Sequence, residues 1–250
     1  MSNKWHTKHH YCPEFYLKWF VNKNWKFFVY DKKLKKIIWE KLPSEYFYEK
    51  NLYSIDTPIW LDKTIETGFF SKLETDWAPV IKKLRNLNAV DDFQFDKTED
   101  IVTFFQFLSF QFTRTPLFEA VVGKKIKDCK ISNFLERYKR SYVLNETFFK
   151  KRFTFFIIKE WLDCEFLLSD APFFSCRLDD WTLIPEMIAI SSNILCAIET
   201  ESVWKMQFQK QELIDIKMVK IINWFIFDNS KNYLSFQNKN SFKKCLDRNV

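Results

Sequence analysis

Near its N-terminus the chain reads His9-His10-Tyr11-Cys12-Pro13-Glu14-Phe15-Tyr16-Leu17, a dense run of aromatic and polar side chains. Pro13 suits the first turn of a short helix, because the backbone N–H groups of that turn have no partners inside the helix. Phe15, Tyr16 and Phe20 would then lie on one side of the helix. We therefore expect this segment to anchor an aromatic core.

The composition predicts one mainly helical domain. Of the 250 residues, 47% are hydrophobic and 19% are aromatic, which excludes a disordered chain. Only 2 Gly and 7 Pro are present. A β-sandwich or barrel needs many tight turns, so this scarcity favours long helices. We predict a single domain over residues 1–250, with residues 1–12 and 239–250 frayed.

The spacing of apolar residues predicts an α+β fold that is predominantly α-helical. An N-terminal β-hairpin of residues 25–30 and 34–39 and a small sheet from residues near 163–198 would pack on long helices. Pro79 should bend or break the first long helix near Trp77, because proline cannot donate the helical hydrogen bond. The predicted helices cover about residues 62–87, 98–115, 132–143, 145–161 and 211–227.

The chain is basic, and its cysteines do not have the spacing typical of a disulfide-rich protein. A net charge of +7 permits an anionic partner such as RNA or DNA. Lysine can equally well be the residue that keeps an aromatic-rich protein soluble. None of the six Cys forms a C-x-x-C pair, so we expect reduced thiols and a cytoplasmic protein. We expect no signal peptide and no membrane span, because the apolar runs are too short.

Several common catalytic motifs are absent. The sequence contains no G-x-x-x-x-G-K-[ST], G-x-G-x-x-G, G-x-S-x-G or H-E-x-x-H. With only Gly68 and Gly123 in the chain, a glycine-rich phosphate loop cannot form. These absences disfavour a P-loop NTPase, a Rossmann dehydrogenase and an α/β-hydrolase.

Polar residues that interrupt an apolar pattern are the first candidates for a site. Gln111 and Arg114 continue the buried stripe of the helix that carries Phe104 and Leu108. They would either line a pocket and bind a phosphate or carboxylate, or pin a loop backbone. Glu74 flanks the stripe of the preceding helix, where it is either a solvated carboxylate or a site residue.

Asp170 and His10 are further candidates. Asp170 follows an apolar strand-like run, a position that can present a catalytic carboxylate or metal ligand, or form an Asx turn. His10 can supply an acid, a base or a ligand to a site that other elements build. The Cys spacings provide no zinc motif of their own.

Three of these motifs together resemble the large, mainly bacterial and phage-borne family called domain of unknown function 4238. Its N-terminal His-Tyr-x-Pro-x-Phe-Tyr-Leu-x-x-Phe is similar to residues 10–20. Its Gln-x-x-Arg-[TS]-Pro is similar to residues 111–116, and its Ser-Asp-x-Pro to residues 169–172. The family has no settled activity, so the resemblance supports one domain and this choice of site residues rather than a reaction.

Weaker similarities to the family and two departures from it accompany these motifs. The family usually has Gln where this chain has His9, and Asn where it has Ala171. Both departures leave the acid–base residues in place. The weaker similarities are at residues 51–54, Glu66, Glu74 and Asn223.

The leading hypothesis is a phosphodiester hydrolase, a nuclease acting on RNA or DNA, with a role in phage–host conflict or phage defence. His10, Glu74 and Asp170 would be catalytic, and Glu74 and Asp170 would hold Mg²⁺ or Mn²⁺. The predicted substrate-binding residues are Gln111, Arg114, Tyr11 and Asn223.

Two other interpretations remain open. One is a non-catalytic regulatory protein of the same systems that binds nucleic acid or a nucleotide. The other is a buried polar network that only fixes the fold. A protein partner or a homo-oligomer is compatible with each of them.

Overall fold

Two four-stranded sheets and a set of helices make up the part of the chain that the structure describes. A computed structural model gives residues 8–50, 55–56, 61–62, 65–85, 87, 95, 97–115, 118, 130–174, 176–179, 182–199, 203, 206–213 and 215–246. Because the described residues form two four-stranded sheets as well as shorter strand pairs, the prediction of a predominantly helical fold with one small sheet is wrong.

The helices differ from their predicted bounds mainly in the C-terminal half. Short 3-10 turns at Lys18–Phe20, Pro43–Glu45 and Glu160–Leu162 and a π-helical turn at Ile65–Phe70 accompany them. The α-helices are α1 (Glu14–Leu17), α2 (Ser71–Arg85), α3 (Thr98–Thr113), α4 (Lys130–Phe148), α5 (Ile216–Asn229) and α6 (Lys239–Leu246).

The first sheet extends the predicted N-terminal hairpin. Its strands follow the order β3 (Lys36–Lys41), β2 (Phe27–Asp31), β14 (Tyr233–Phe236) and β8 (Leu168–Ser169), and all pairs are antiparallel. The hairpin is confirmed, but β14 pairs with β2 from more than 200 residues further along the chain. Through this long-range pairing, the turn before β14 lies next to the sheet that contains the N-terminal hairpin.

The second sheet has β7 (Arg152–Ile158) at its centre. The order is β11 (Met187–Ser191), β12 (Ile194–Ile198), β7 and β13 (Gln207–Leu213). β13 runs parallel to β7, whereas the other pairs are antiparallel. The shorter strand pairs are β1 (Lys8–His10) with β4 (Tyr48–Lys50), β5 (Ile55–Asp56) with β6 (Leu61–Asp62), and β9 (Cys176–Asp179) with β10 (Thr182–Pro185).

Two predicted helices are strands over part of their length. Residues 145–161 were predicted as one helix, but α4 ends at Phe148 and β7 follows, rich in the aromatic and β-branched residues that suit a buried strand. The predicted start at Gln211 lies inside β13, and α5 begins only at Ile216. Asp215 caps it by accepting a hydrogen bond from the Lys217 N–H at 2.8 Å.

Two segments with predicted irregularities are helical in the structure, although a bend at Pro79 stays untested. α2 continues through Pro79, whose side of the helix is exposed, so that water can satisfy the carbonyl that proline leaves unbonded. Residues 239–246, predicted to be frayed, form α6, and its Phe242 stacks on Phe236 with ring centroids 4.4 Å apart.

α3 is the central helix of the core. From Phe104 to Thr113 nearly every residue is buried, as expected for a helix that is covered on all sides. Phe104 contacts Phe153 and Phe155 of β7 with ring centroids 6.0 Å apart in both pairs. Its C-terminal end, which carries Gln111 and Arg114, is therefore held rigidly.

Two further predictions concern the state of the cysteines and the presence of a membrane-spanning helix. Cys164 takes part in a disulfide bond, so the prediction of six reduced thiols is wrong for this residue. Cys12 and Cys196 are free and buried. Over the residues given above, we find no helix with both the length and the apolar character needed to cross a bilayer.

Candidate functional site

The N-terminal segment is fixed by backbone pairing before it reaches the site. β1 aligns His10 opposite Tyr48 of β4. The N–H of Tyr11 then donates to the carbonyl of Phe47 at 3.1 Å, and α1 begins after Pro13. His10, Tyr11 and Cys12 therefore sit at the junction of a strand pair and a helix, which sets the direction of their side chains.

His10 is neutral and holds an unpaired ring nitrogen. Burial lowers the pKa of His10 from 6.5 to about 4, and the nearby positive charges of Arg114 and Lys8 also lower it, while Glu74 raises it. The ring also makes a hydrogen bond with the backbone of Pro43. Because proline has no N–H, His10 must donate this bond to the Pro43 carbonyl.

We infer that Nδ1 is the donor in that bond, because it is the ring nitrogen that remains. The other ring nitrogen, Nε2, is buried and has no hydrogen-bond partner among the described residues. A neutral imidazole with its proton on Nδ1 leaves the Nε2 lone pair available to a proton or a ligand. Nε2 of His10 is therefore a candidate acid–base atom of the site.

Arg114 is buried and connects α2 to the N-terminal segment. Its Nη1 donates to Oε1 of Glu74 at 2.8 Å, and its Nη2 donates to the carbonyl oxygen of His10. The guanidinium also lies over the ring of Phe70, 4.1 Å from the centroid. Arg114 therefore positions His10 and Glu74 together, and in this arrangement both of its terminal nitrogens are engaged within the protein.

Glu74 is the partly exposed member of the ion pair. Its side chain is 26% exposed, whereas that of Arg114 is 0% exposed. Oε1 accepts the bond from Arg114, and Oε2 accepts none within the described part of the chain. Because its charge raises the pKa of His10, Glu74 lies near the His10 ring.

Gln111 holds the next two residues of the segment. Its Nε2 donates to the carbonyl of Tyr11 at 3.0 Å and approaches Sγ of Cys12 at 3.6 Å. Gln111 is fully buried, and its Oε1 has no partner among the described residues. The prediction that Gln111 and Arg114 share one face is confirmed, and both bind the backbone of the N-terminal segment.

Asp170 accepts hydrogen bonds from a distant turn, which differs from the local Asx turn that the sequence left open. Oδ1 accepts from the N–H of Lys231 at 2.7 Å, and Oδ2 accepts from the N–H of Asn232 at 2.6 Å. Burial raises the pKa of Asp170, while these backbone bonds oppose the rise. Its charge also raises the pKa of Tyr11 and of Cys12, after the larger effect of burial, so Asp170 lies near these two residues of the segment.

Tyr11 and Asn223, both predicted to bind substrate, are buried in the protein. Tyr11 is buried with its ring against Phe47, and burial raises its pKa. Asn223 accepts from the N–H of Leu167 at 3.0 Å and donates to the carbonyl of Glu165 at 2.8 Å. Its amide clamps the backbone just before β8, so its predicted role in substrate binding finds no support in these contacts.

The predicted metal pair does not fit this geometry. Both oxygens of Asp170 already accept backbone N–H groups, and the charge of Glu74 is balanced by Arg114. Throughout the described ranges, no three His, Cys, Asp or Glu side chains are grouped so that they could hold one metal ion. The atoms best suited to a cation are Oε2 of Glu74 and Nε2 of His10.

Sequence reasoning missed three neighbours of His10. The Pro43 carbonyl fixes the ring, the Lys8 charge acts on it, and Phe70 supports Arg114. Lys8 precedes the N-terminal motif closely enough to have been considered. The other two are brought in by tertiary contacts that carry no local sequence signal.

A family model matches the N-terminal part of the chain. Residues 8–163 match the family model described as "Protein of unknown function (DUF4238)". The match includes His10, Glu74, Gln111 and Arg114 and ends before Asp170. No curated protein and no solved structure matches the chain. Because the matched residues cover more than half of its length, the chain belongs to the DUF4238 family.

Proposed function

We propose that the protein cleaves phosphodiester bonds in RNA or DNA, with His10 as the residue that accepts and returns the proton. One observation carries this assignment: the buried Nε2 of a neutral His10 has no partner beside the Glu74–Arg114 ion pair. Buried polar atoms without partners are rare in folded proteins and call for an explanation. A substrate hydroxyl or a water molecule at Nε2 would provide one.

An anionic substrate would adjust the basicity of His10. With a pKa of about 4 the ring is neutral at pH 7 but is a weak base. Arg114 and Lys8 contribute to this low pKa, and a phosphate anion close to them would offset their effect. The pKa of His10 would then rise towards neutrality in the complex, where a general base is most effective.

The reaction uses the groups already positioned at the site. The attacking hydroxyl, from water or from the ribose of RNA, gives its proton to Nε2 as its oxygen bonds to phosphorus. The bond from phosphorus to the leaving oxygen breaks, and the imidazolium returns a proton to that oxygen. The bond from Nδ1 to the Pro43 carbonyl and the charge of Glu74 both stabilise the imidazolium.

Glu74 and Arg114 have different tasks in this scheme. Glu74 is partly exposed, and its charge supports the charged form of His10. Arg114 is a positioning residue, since it holds Glu74 and the His10 carbonyl in one arrangement. The predicted dependence on Mg²⁺ or Mn²⁺ is a separate question, and no step above passes through a metal ion.

Cleavage of single-stranded RNA and DNA by the purified full chain tests this proposal. We expect His10→Gln to reduce the rate at least about 100-fold, while Glu146→Gln, an exposed carboxylate on α4, leaves it unchanged. Cleavage should persist in EDTA. No cleavage by the wild type, or equal rates in the wild type and His10→Gln, would rule the proposal out. Loss in EDTA with recovery in Mn²⁺ would instead favour the predicted metal site.

A second candidate is binding without turnover, as a regulatory protein. It is favoured by the internal contacts of Arg114, Gln111 and Asp170, each of which uses its polar atoms on backbone groups of the protein. Calorimetry with the same oligonucleotides separates the two: binding without any cleaved product supports this candidate. A role in phage–host conflict rests on the family resemblance and remains a prediction.

A further inference from the structure

A second pocket lies at the other end of α2. It has a volume of about 220 Å³ and forms where the C-terminal end of α2, the Lys18–Phe20 turn and the β11–β12 turn meet. Glu74 and Arg85 are eleven residues apart on α2, which places the pocket about 16 Å along the helix from the His10 site. The pocket is therefore separate from the proposed reaction centre.

The pocket is positively charged. Lys18 and Arg85 both line it, and none of the residues that line it is acidic. In the described part of the chain neither Lys18 nor Arg85 pairs with a carboxylate. Both side chains are exposed, so they are free to contact an anion that enters from solvent.

Two tryptophans add planar surfaces beside these charges. The guanidinium of Arg85 lies over the ring of Trp19, 4.5 Å from the centroid. Stacking uses the face of the guanidinium and leaves its N–H edge available for hydrogen bonds. Trp19 and the stacked guanidinium therefore form one wall of the pocket.

Trp25 is held at the pocket mouth in an exposed position. Its side chain is 66% exposed, and its backbone lies in the left-handed region at φ 60°, which is costly for a bulky residue. The turn is tightly bonded: the N–H of Asn22 donates to the Lys26 carbonyl at 2.7 Å, and that of Trp25 to the Asn22 carbonyl at 3.0 Å. The turn therefore keeps a large aromatic face directed away from the core.

The far wall supplies neutral hydrogen-bonding groups. Nε2 of Gln237 donates to Oγ of Ser192 at 2.9 Å, which fixes both side chains. Oδ1 of Asn193 accepts from Oγ of Ser191 at 2.7 Å, so its amide N–H groups remain as donors. Hydroxyl and amide groups at fixed positions are suited to a sugar or to phosphate oxygens.

We propose that this pocket binds a nucleoside 5′-monophosphate, with the phosphate between Lys18 and Arg85 and the base stacked on Trp25. The volume is below the roughly 300–1,000 Å³ of pockets that enclose a whole drug-sized ligand. It suits the phosphate and sugar, while the base lies over the exposed Trp25. This inference does not depend on the function proposed for His10.

Calorimetry with fragments of the ligand separates the two contributions. We expect AMP to bind the full chain with a Kd below about 1 mM. Ribose 5-phosphate should bind about tenfold more weakly, because it lacks the stacking base. Adenosine should bind more weakly than AMP by a similar factor, because it lacks the phosphate. Absence of AMP binding, or equal affinities for AMP and adenosine, would overturn the proposal.

Matched variants locate the site. Arg85→Gln and Lys18→Gln should each weaken AMP binding about tenfold, whereas Lys82→Gln, the same charge change at an exposed position on α2, should not. Trp25→Ala should weaken AMP but not ribose 5-phosphate, with the similarly exposed Trp161→Ala as control. His10→Gln should bind AMP as the wild type does. AMP binding lost in His10→Gln but kept in Arg85→Gln would contradict the proposal.

Discussion

Nη1 of Arg114 lies 2.8 Å from Oε1 of Glu74, and this ion pair joins the C-terminal end of α3 to the first turn of α2. The same guanidinium donates to the carbonyl of His10 from the other side. A single buried cation therefore sets the distance between the ring of His10 and the carboxylate of Glu74. The reactivity proposed for His10 depends on this arrangement.

Removal of the guanidinium should cost more than the loss of a surface ion pair. Arg114→Ala leaves the Glu74 carboxylate and the His10 carbonyl without their donor, and we expect the free energy of unfolding to fall by about 3 kcal/mol. The exposed pair of Lys244 and Asp163 is the control, and Lys244→Ala should cost less than about 1 kcal/mol. Urea unfolding measures both. Equal losses in the two variants would show that Arg114 does not secure the segment.

The stability of the protein should depend on pH through His10. Its pKa of about 4 in the folded state lies below its usual 6.5, so between these values the unfolded chain binds more protons. Stability should therefore rise from pH 4 to pH 6.5 and then level off. The contribution is on the order of 2 kcal/mol after allowance for partial exposure.

The variant that tests this pH dependence is His10→Gln, which cannot titrate. Unfolding measured at pH 4.5 and pH 7.5 should differ less in this variant than in the wild type. Other groups titrate in both proteins, so only the difference between the two curves reports on His10. Parallel curves would mean that the ring is not neutral at low pH in the folded state.

Asp170 should act on stability rather than on catalysis. Asp170→Ala removes two acceptors from the N–H groups of residues 231 and 232, and we expect a loss of about 3 kcal/mol. Asp170→Asn keeps one acceptor oxygen and should lose about half as much. Cleavage per folded molecule should be unchanged in Asp170→Asn. A stable but inactive Asp170→Asn would restore the catalytic role that the sequence suggested.

Asn223 should behave as a structural clamp. Asn223→Ala leaves the Leu167 N–H and the Glu165 carbonyl unpaired in the core, and it should cost about 3 kcal/mol. Asn229→Ala, which removes one exposed bond to the Phe225 carbonyl, should cost about 0.5 kcal/mol or less. Binding of oligonucleotides by folded Asn223→Ala should match the wild type. Weaker binding without loss of stability would indicate a substrate contact.

Local pattern was enough to predict some elements and not others. α3 follows from its apolar stripe, and the β2–β3 hairpin follows from two short aromatic and aliphatic runs. β13 contains mostly polar residues and is a strand because it pairs with β7 along its whole length. That pairing is a long-range contact, and the strand propensity of the local sequence cannot predict it.

For the candidate site, the sequence identified some of the residues but not the groups that they bind. Gln111 and Arg114 stood out because each interrupts an apolar helix face, and both are indeed buried and bonded. Their partners lie 100 and 104 residues away, so the sequence left phosphate binding and backbone binding equally open. For Asp170 the backbone partners again come from a distant turn, so they form a long-range anchor and not the local Asx turn considered from the sequence.

The most direct test of the account is the protonation state of His10 by ¹⁵N NMR of the three histidines, with His10→Gln used to assign its signals. We predict a neutral ring with its proton on Nδ1 and a pKa of about 4 that rises when a phosphodiester is added. A pKa near the ordinary 6.5, a proton on Nε2, or a titration that phosphodiester leaves unchanged would contradict the proposed role of His10.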